Sequence, residues 1–154
     1  ANRRNVMEQL EATVARQEPQ AVAAGVQLNI KGDDDLVLNG EADQIDSAVT
    51  KLIENAIGYS KENGVVSVSA SKDKDGDRVV IRVIDQGAGI AKKDQARIFE
   101  RFYRGAEQSN RTADGVGLGL AIVKHVALTH HGDVTVWSAP GQGSTFSLTL
   151  PLAQ

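Results

Sequence analysis

Arg78-Val79-Val80-Ile81-Arg82-Val83-Ile84-Asp85-Gln86-Gly87-Ala88-Gly89-Ile90 is the stretch on which the fold turns. Apart from two arginines its first seven residues are β-branched, which predicts a strand, and the run stops at a carboxylate followed by two spaced glycines. Just upstream, Val65 to Ser71 alternates apolar residues with serine. Lys72 to Asp77, charged and containing Gly76, reads as the hairpin loop between the two strands.

Working outward, the N-terminal side is expected to hold a helix over residues 3–17, with Val6, Leu10 and Val14 four apart and Pro19 just beyond. Residues 1–25 read as a helical segment leading into a domain over 26–154. Val26 to Ile30 alternates as a half-buried strand, Asp33-Asp34-Asp35 turns, and Leu36 to Leu38 is a short strand ending at Asn39-Gly40. From Ala42 to Ser60 the spacing is helical, with Asp43 as the expected N-cap. On the C-terminal side a helix is predicted over Lys93–Tyr103, then a polar stretch from Arg104 to Asp114. A glycine-rich entry at Gly115 leads into a third helix ending near His131-Gly132. Two strands, Asp133 to Ser138 and Ser144 to Leu150, flank the turn Pro140-Gly141-Gln142-Gly143. Long helices interleaved with adjacent strand pairs predict an α+β domain, one sheet layered against helices, rather than a doubly wound one.

With 154 residues, 41% apolar and 24% charged, the chain is long enough for one well-buried core. A net charge of −3 argues against a nucleic-acid partner. The absence of cysteine excludes disulfides, thiolate metal sites and cysteine nucleophiles. No apolar run approaches the roughly 18 residues of a membrane span; Gly115 to Leu128, the richest, is interrupted by Lys124 and His125. No direct membrane insertion is therefore expected. The opening Ala1-Asn2-Arg3-Arg4 resembles neither a signal peptide nor a natural start, so a soluble piece of a longer protein is expected.

Three features could carry chemistry. In the helix over Ala42–Ser60, Ile45, Val49, Leu52, Ile53 and Ala56 share one stripe at about 100° per residue, which must face the core. Lys51, Asn55 and Tyr59 climb the edge of that stripe, one per turn. An amide there can offer oxygen to a hard cation such as magnesium, and a tyrosine one turn on can lie against a flat ring; capping and plain packing are the blander alternatives. Second, Asp85-Gln86-Gly87-Ala88-Gly89-Ile90 places a hydrogen-bond acceptor at a strand end beside glycines that permit close approach, although a turn can be built the same way. Third, Gly115-Val116-Gly117-Leu118-Gly119-Leu120 opens a helix, where free backbone N–H groups suit an anion. No Gly-Lys-Ser/Thr follows, so it is not a P-loop. Lys92, Lys93, Arg97, Arg101, Arg104 and Arg111 lie in the preceding stretch and could face a triphosphate or only solvent.

Taken in order, the Asn55 helix, Asp-x-Gly-x-Gly, Phe99-Glu100-Arg101-Phe102-Tyr103-Arg104, Gly-x-Gly-x-Gly and Gly141-Gln142-Gly143-Ser144-Thr145-Phe146 resemble the N, G1, F, G2 and G3 boxes of the histidine-kinase catalytic domain. The resemblance runs from about residue 26 to 151, and the segment Val123 to Ser138 is most similar to actinobacterial phosphate-sensing kinases. It implies a Bergerat-type two-layer α/β sandwich: a mixed, mostly antiparallel sheet with about three helices on one face. It implies Mg-ATP held between the Asn55 helix and a mobile lid spanning Arg104 to Asp114. By the same resemblance Asn55 ligates magnesium and Tyr59 packs beside adenine. Asp85 bonds the adenine amine directly and through water shared with Thr145. Gly87 and Gly89 make room for the ring, Ile90 lies beneath it, Gly115, Gly117 and Gly119 hinge the lid, and Leu118 or Leu120 lines the pocket. Arg101 and Arg104 match basic positions near the phosphates.

The chain departs from that pattern where Lys51 replaces an asparagine one turn before Asn55 and where Gly58 stands in place of a lysine. Lys51 could supply phosphate-facing charge in compensation, or metal affinity could fall. A degenerate interaction module without ATP binding is the alternative function; a glutamate base of the gyrase type is absent at Lys51. The resemblance implies a histidine protein kinase that donates the γ-phosphate to a histidine on a separate dimerisation/histidine phosphotransfer domain, with a cognate response regulator downstream. It also implies a cytoplasmic location, the parent protein anchored in a bacterial inner membrane. His125, His130 and His131 lack the phosphoacceptor context and are read as structural.

Overall fold

The structure is a computed structural model that describes residues 2–100 and 118–153, the side chains of Asn2 and Leu118 excepted. Its strands are β1 (Asn2–Asn5), β2 (Gln27–Gly32), β3 (Val37–Gly40), β4 (Val65–Lys72), β5 (Arg78–Asp85), β6 (Asp133–Ala139) and β7 (Gly143–Pro151). Its helices are α1 (Val6–Ala24), α2 (Ala42–Tyr59), α3 (Lys92–Gln95) and α4 (Leu118–Thr129). The main sheet runs β2-β4-β5-β7-β6; only the β2–β4 pair is parallel, because the β3–α2 crossover lies between them.

Alternation decides which face is covered. Val66, Val68 and Ala70 of β4, Val79, Ile81 and Val83 of β5, and Phe146, Leu148 and Leu150 of β7 are all buried. They meet the buried stripes of α1 (Val6, Leu10, Val14), α2 (Ile45, Val49, Leu52, Ile53, Ala56) and α4 (Val123, Val126, Ala127) in one core. The opposite face shows Ser67, Ser69, Thr145, Ser147 and Thr149, none buried. The expected layered α+β architecture is what forms. No helix among the described residues is long and apolar enough to cross a membrane.

Several element boundaries differ from expectation. Residues 3–5 pair with β3 instead of starting the first helix. Asn5 caps that helix, its side chain accepting from Glu8 N at 2.9 Å, an Asn-x-x-Glu signature present in the sequence. α1 also runs through Pro19 to Ala24. The proline's cost of about 3 kcal/mol is offset by burial of Ala21 and by a left-handed Gly25 cap, and Val26 N bonds Ala21 O at 2.8 Å. α2 begins one residue before Asp43, which lies in the first turn, and the N-cap is Glu41. The helix predicted over Lys93–Tyr103 is a single turn to Gln95. Beyond it Arg97 N bonds Asp94 O and Glu100 N bonds Arg97 O, three-residue steps that bury Ile98 and aim Phe99 edge-on at Phe146, 6.1 Å between ring centres; 101–103 fall outside the described residues.

α4 ends in a Schellman motif with His131, not a glycine, as its left-handed residue (φ 64°). His131 N bonds Leu128 O and Gly132 N bonds Ala127 O. The glycine sits one place later because a β-carbon at 132 would come 1.9 Å from Thr149 O.

Candidate functional site

At the end of β5, chain geometry delivers a buried carboxylate. Asp85 lies on the helix-covered face of the sheet and is only 2% exposed. Its Oδ1 accepts from Gly87 N at 2.9 Å, while Oδ2 is buried with no hydrogen-bond partner. Burial pushes the Asp85 carboxyl above its ordinary value; the backbone N–H groups of Gly87 and Ser144 oppose that only in part. A desolvated acceptor with one oxygen uncommitted is costly unless a donor arrives from elsewhere.

The loop after Asp85 is held against neighbouring backbone. A β-carbon on Gly87 would lie 2.0 Å from Tyr59 O, and one on Gly89, which has φ 79°, would lie 2.3 Å from Ala139 O. Both glycines thus serve protein packing: they dock the loop between the last turn of α2 and the β6–β7 turn, where Gly141 N bonds Ala88 O at 2.7 Å. Ile90 is buried, its N–H bound by Ser138 Oγ at 2.7 Å.

Along α2 the apolar stripe is buried as its spacing requires, and Lys51, Asn55 and Tyr59 follow its edge. Lys51 and Asn55 are half-buried; Tyr59 is buried, deeper than an edge position suggests. The Asn55 Nδ2 is buried without a partner, so no hydrogen bond at that end fixes the amide, and its oxygen suits a hard cation. Lys51 Nζ is 3.4 Å from Glu54 Oε1, and its stem lies beside Gly119, 3.5 Å from where a β-carbon there would be. The first turn of α4, with Leu120 buried, therefore meets α2 at Lys51. Arg101, Arg104, Gly115, Gly117 and the Arg104–Asp114 segment lie outside the described residues, as does the Leu118 side chain.

Thr145 requires a correction. It pairs with Ile84, on the face of the sheet opposite Asp85, because side chains alternate along β7. Ser144 is the cross-strand partner of Asp85 and is 3% exposed. Counting strand parity back from buried Phe146 would have found it. Ser138 was also missed: its hydroxyl lies 2.8 Å from both Gly143 O and Ser144 Oγ. Gln95 braces the same corner, its amide donating to Ile90 O and Ser138 O.

Comparison with known proteins identifies the family. The chain is 43% identical over 138 residues to the sensor-like histidine kinase SenX3 of Mycobacterium tuberculosis, covering 90% of this chain and 33% of that one. It thus spans about a third of the length of the curated relatives it matches. Among solved structures, the mycobacterial sensor histidine kinase MprB aligns with a TM-score of 0.87 at 26% identity, over 98% of both chains. Full-length ShkA, crystallised with AMPPNP, aligns with a TM-score of 0.85 at 28% identity, over 99% of this chain and 31% of that one. Residues 40–154 match the family described as histidine kinase-, DNA gyrase B-, and HSP90-like ATPase, and the chain belongs to that family.

Proposed function

We propose that this domain binds Mg-ATP and donates the γ-phosphate to a histidine on the dimerisation/histidine phosphotransfer domain of the same kinase, a cognate response regulator acting downstream. Residues 1–25 lead in from the dimerisation helices and pack, as β1 and α1, into the same core as residues 26–154, which carry the ATP-binding residues. The domain is cytoplasmic, its parent protein anchored in the bacterial inner membrane. The observation that carries this is the Asp85 carboxylate, buried with Oδ2 uncommitted at the end of β5. The exocyclic amine of adenine is the donor it lacks.

In this reading the purine bonds Asp85, with Ile90 beneath the ring and Tyr59 beside it. Gly87 and Gly89 let the loop dock against Tyr59 O and Ala139 O, which sets Ile90 in place under the base. Ser144, on the Asp85 face, takes the water-sharing place that the sequence assigned to Thr145. The phosphates run along α2 toward the start of α4. Asn55 offers its amide oxygen to magnesium, which when bound neutralises charge on the phosphate oxygens. Lys51 supplies a cation where a second amide is missing, and Arg101 and Arg104 add charge from the neighbouring segment. Gly115, Gly117 and Gly119 hinge the lid, with Leu118 or Leu120 against the nucleotide. Phosphoryl transfer needs positioning and charge stabilisation rather than a protein nucleophile.

Equilibrium titration of the chain with Mg-ATP tests the binding step. Saturable binding is expected, and its absence at millimolar nucleotide would favour the interaction module. Adding the helical phosphotransfer segment with γ-labelled ATP tests the transfer; label is expected on a histidine of that segment and none on this chain alone.

A further inference from the structure

Lys51 stands at the wrong end of a helix for a cation. A β-carbon on Gly119, in the first turn of α4, would be 4.0 Å from Lys51 Cβ, 3.9 Å from Cγ and 3.5 Å from Cδ, so the lysine leans toward α4 as it extends. Its ammonium, two bonds beyond Cδ, is thereby carried to the N-terminal end of a 12-residue helix. There the macrodipole disfavours positive charge and favours an anion. Glu54 answers part of the lysine's charge, but its Oε1 is 3.4 Å from Nζ, long for a charge-assisted hydrogen bond, and both side chains are 31% exposed. One turn further along the same edge of α2 is Asn55, its Nδ2 buried without a partner. Ammonium and amide are neighbours that hold opposite things. The amide oxygen can ligate a hard cation; the ammonium has three donors and no lone pair, so it repels a metal ion and attracts phosphate oxygens.

We propose that Lys51 sets the metal dependence of this site: its ammonium takes phosphate charge directly, so that ATP binds nearly as well without magnesium as with it. The two neighbouring residues then divide the work. Lys51 holds the phosphates for binding, and Asn55 holds the metal for transfer. The proposal rests on the reading of the groove between α2 and the start of α4 as the phosphate end of a nucleotide site.

The test is the ratio of Kd values for ATP in EDTA and for Mg-ATP, measured by calorimetry on the 154-residue chain. In the wild type the two values are expected to agree within about threefold. Lys51→Met keeps a stem against Gly119 and removes the charge. It is expected to weaken ATP in EDTA by about ten- to a hundredfold, the scale of a hydrogen bond to a charged group, and Mg-ATP by much less. Lys51→Arg, which keeps the charge, should restore the wild-type ratio. A merely structural role for Lys51 would weaken both forms equally; that result overturns the proposal, as does a wild type that binds ATP only with magnesium. If Lys51→Met fails to fold, Lys51→Asn reads the same ratio, and an unchanged ratio there is equally fatal. Failure of the nucleotide reading looks different: neither form of ATP would bind saturably to the wild type or to any variant.

Discussion

Asp85→Asn isolates the contact on which the proposed nucleotide site depends. The substitution conserves shape, so the side chain still fits a position that is 2% exposed. Its amide oxygen takes over the bond from Gly87 N, at 2.9 Å in the wild type, because the alternative flip would leave two N–H groups facing each other. The amide nitrogen then stands where Oδ2 was, a donor facing the adenine amine. A charge-assisted hydrogen bond worth about 1.5–3 kcal/mol is lost, which is roughly ten- to a hundredfold in Mg-ATP affinity. Mg-ITP should lose much less, since the new N–H₂ meets a carbonyl. Asp85→Ala should weaken ATP at least as far, and additionally destabilise the fold by about 1–3 kcal/mol, because Gly87 N–H is left without its acceptor. Calorimetric titration of both nucleotides, with thermal unfolding as a control for folding, measures these effects. If folded Asp85→Asn binds Mg-ATP within about twofold of wild type, the carboxylate is not the adenine acceptor and the assignment fails.

Three further outcomes are expected. Because burial raises the Asp85 pKa above 3.8, the folded chain holds a proton that the unfolded chain has released between 3.8 and the raised value. The stability this group contributes is therefore full below 3.8 and is lost as pH rises through the folded pKa; a protonated Asp85 offers a donor, so the ATP-over-ITP preference should fall as pH drops through that same raised value, and a preference flat with pH in wild type would contradict this. Phe146→Ala removes a fully buried ring packed edge-on against Phe99 and should cost about 3–5 kcal/mol in denaturant unfolding; a loss below 1 kcal/mol would show that the site corner is not anchored by this core. His131→Gly relieves a left-handed backbone at the end of α4 and should stabilise by up to about 1 kcal/mol, seen as a higher Tm, whereas a lower Tm would mean that the His131 side chain contributes more than its backbone costs.

Local patterns determined much of this protein without any three-dimensional information. The alternation of β4 and β7, the 3.6-residue stripe of α2 and the order of the glycine clusters each follow from near neighbours in the chain, and they sufficed for the layered α+β fold and for placing Asp85 and Asn55. What they could not decide depends on residues far apart in sequence. A strand at Asn2–Asn5 exists because β3 is there to pair with it, and α1 crosses Pro19 because packing outweighs propensity. Which hydroxyl lies across from Asp85 is a matter of register between β5 and β7, and one residue of slip moves a side chain to the other face, so Ser144 and not Thr145 shares the Asp85 face. Gly87 and Gly89 are legible as glycines, but only the fold shows that Tyr59 O and Ala139 O occupy the space a side chain would need. Spacing along the chain specifies which way a residue faces; what it meets there is settled by segments packed against it from elsewhere.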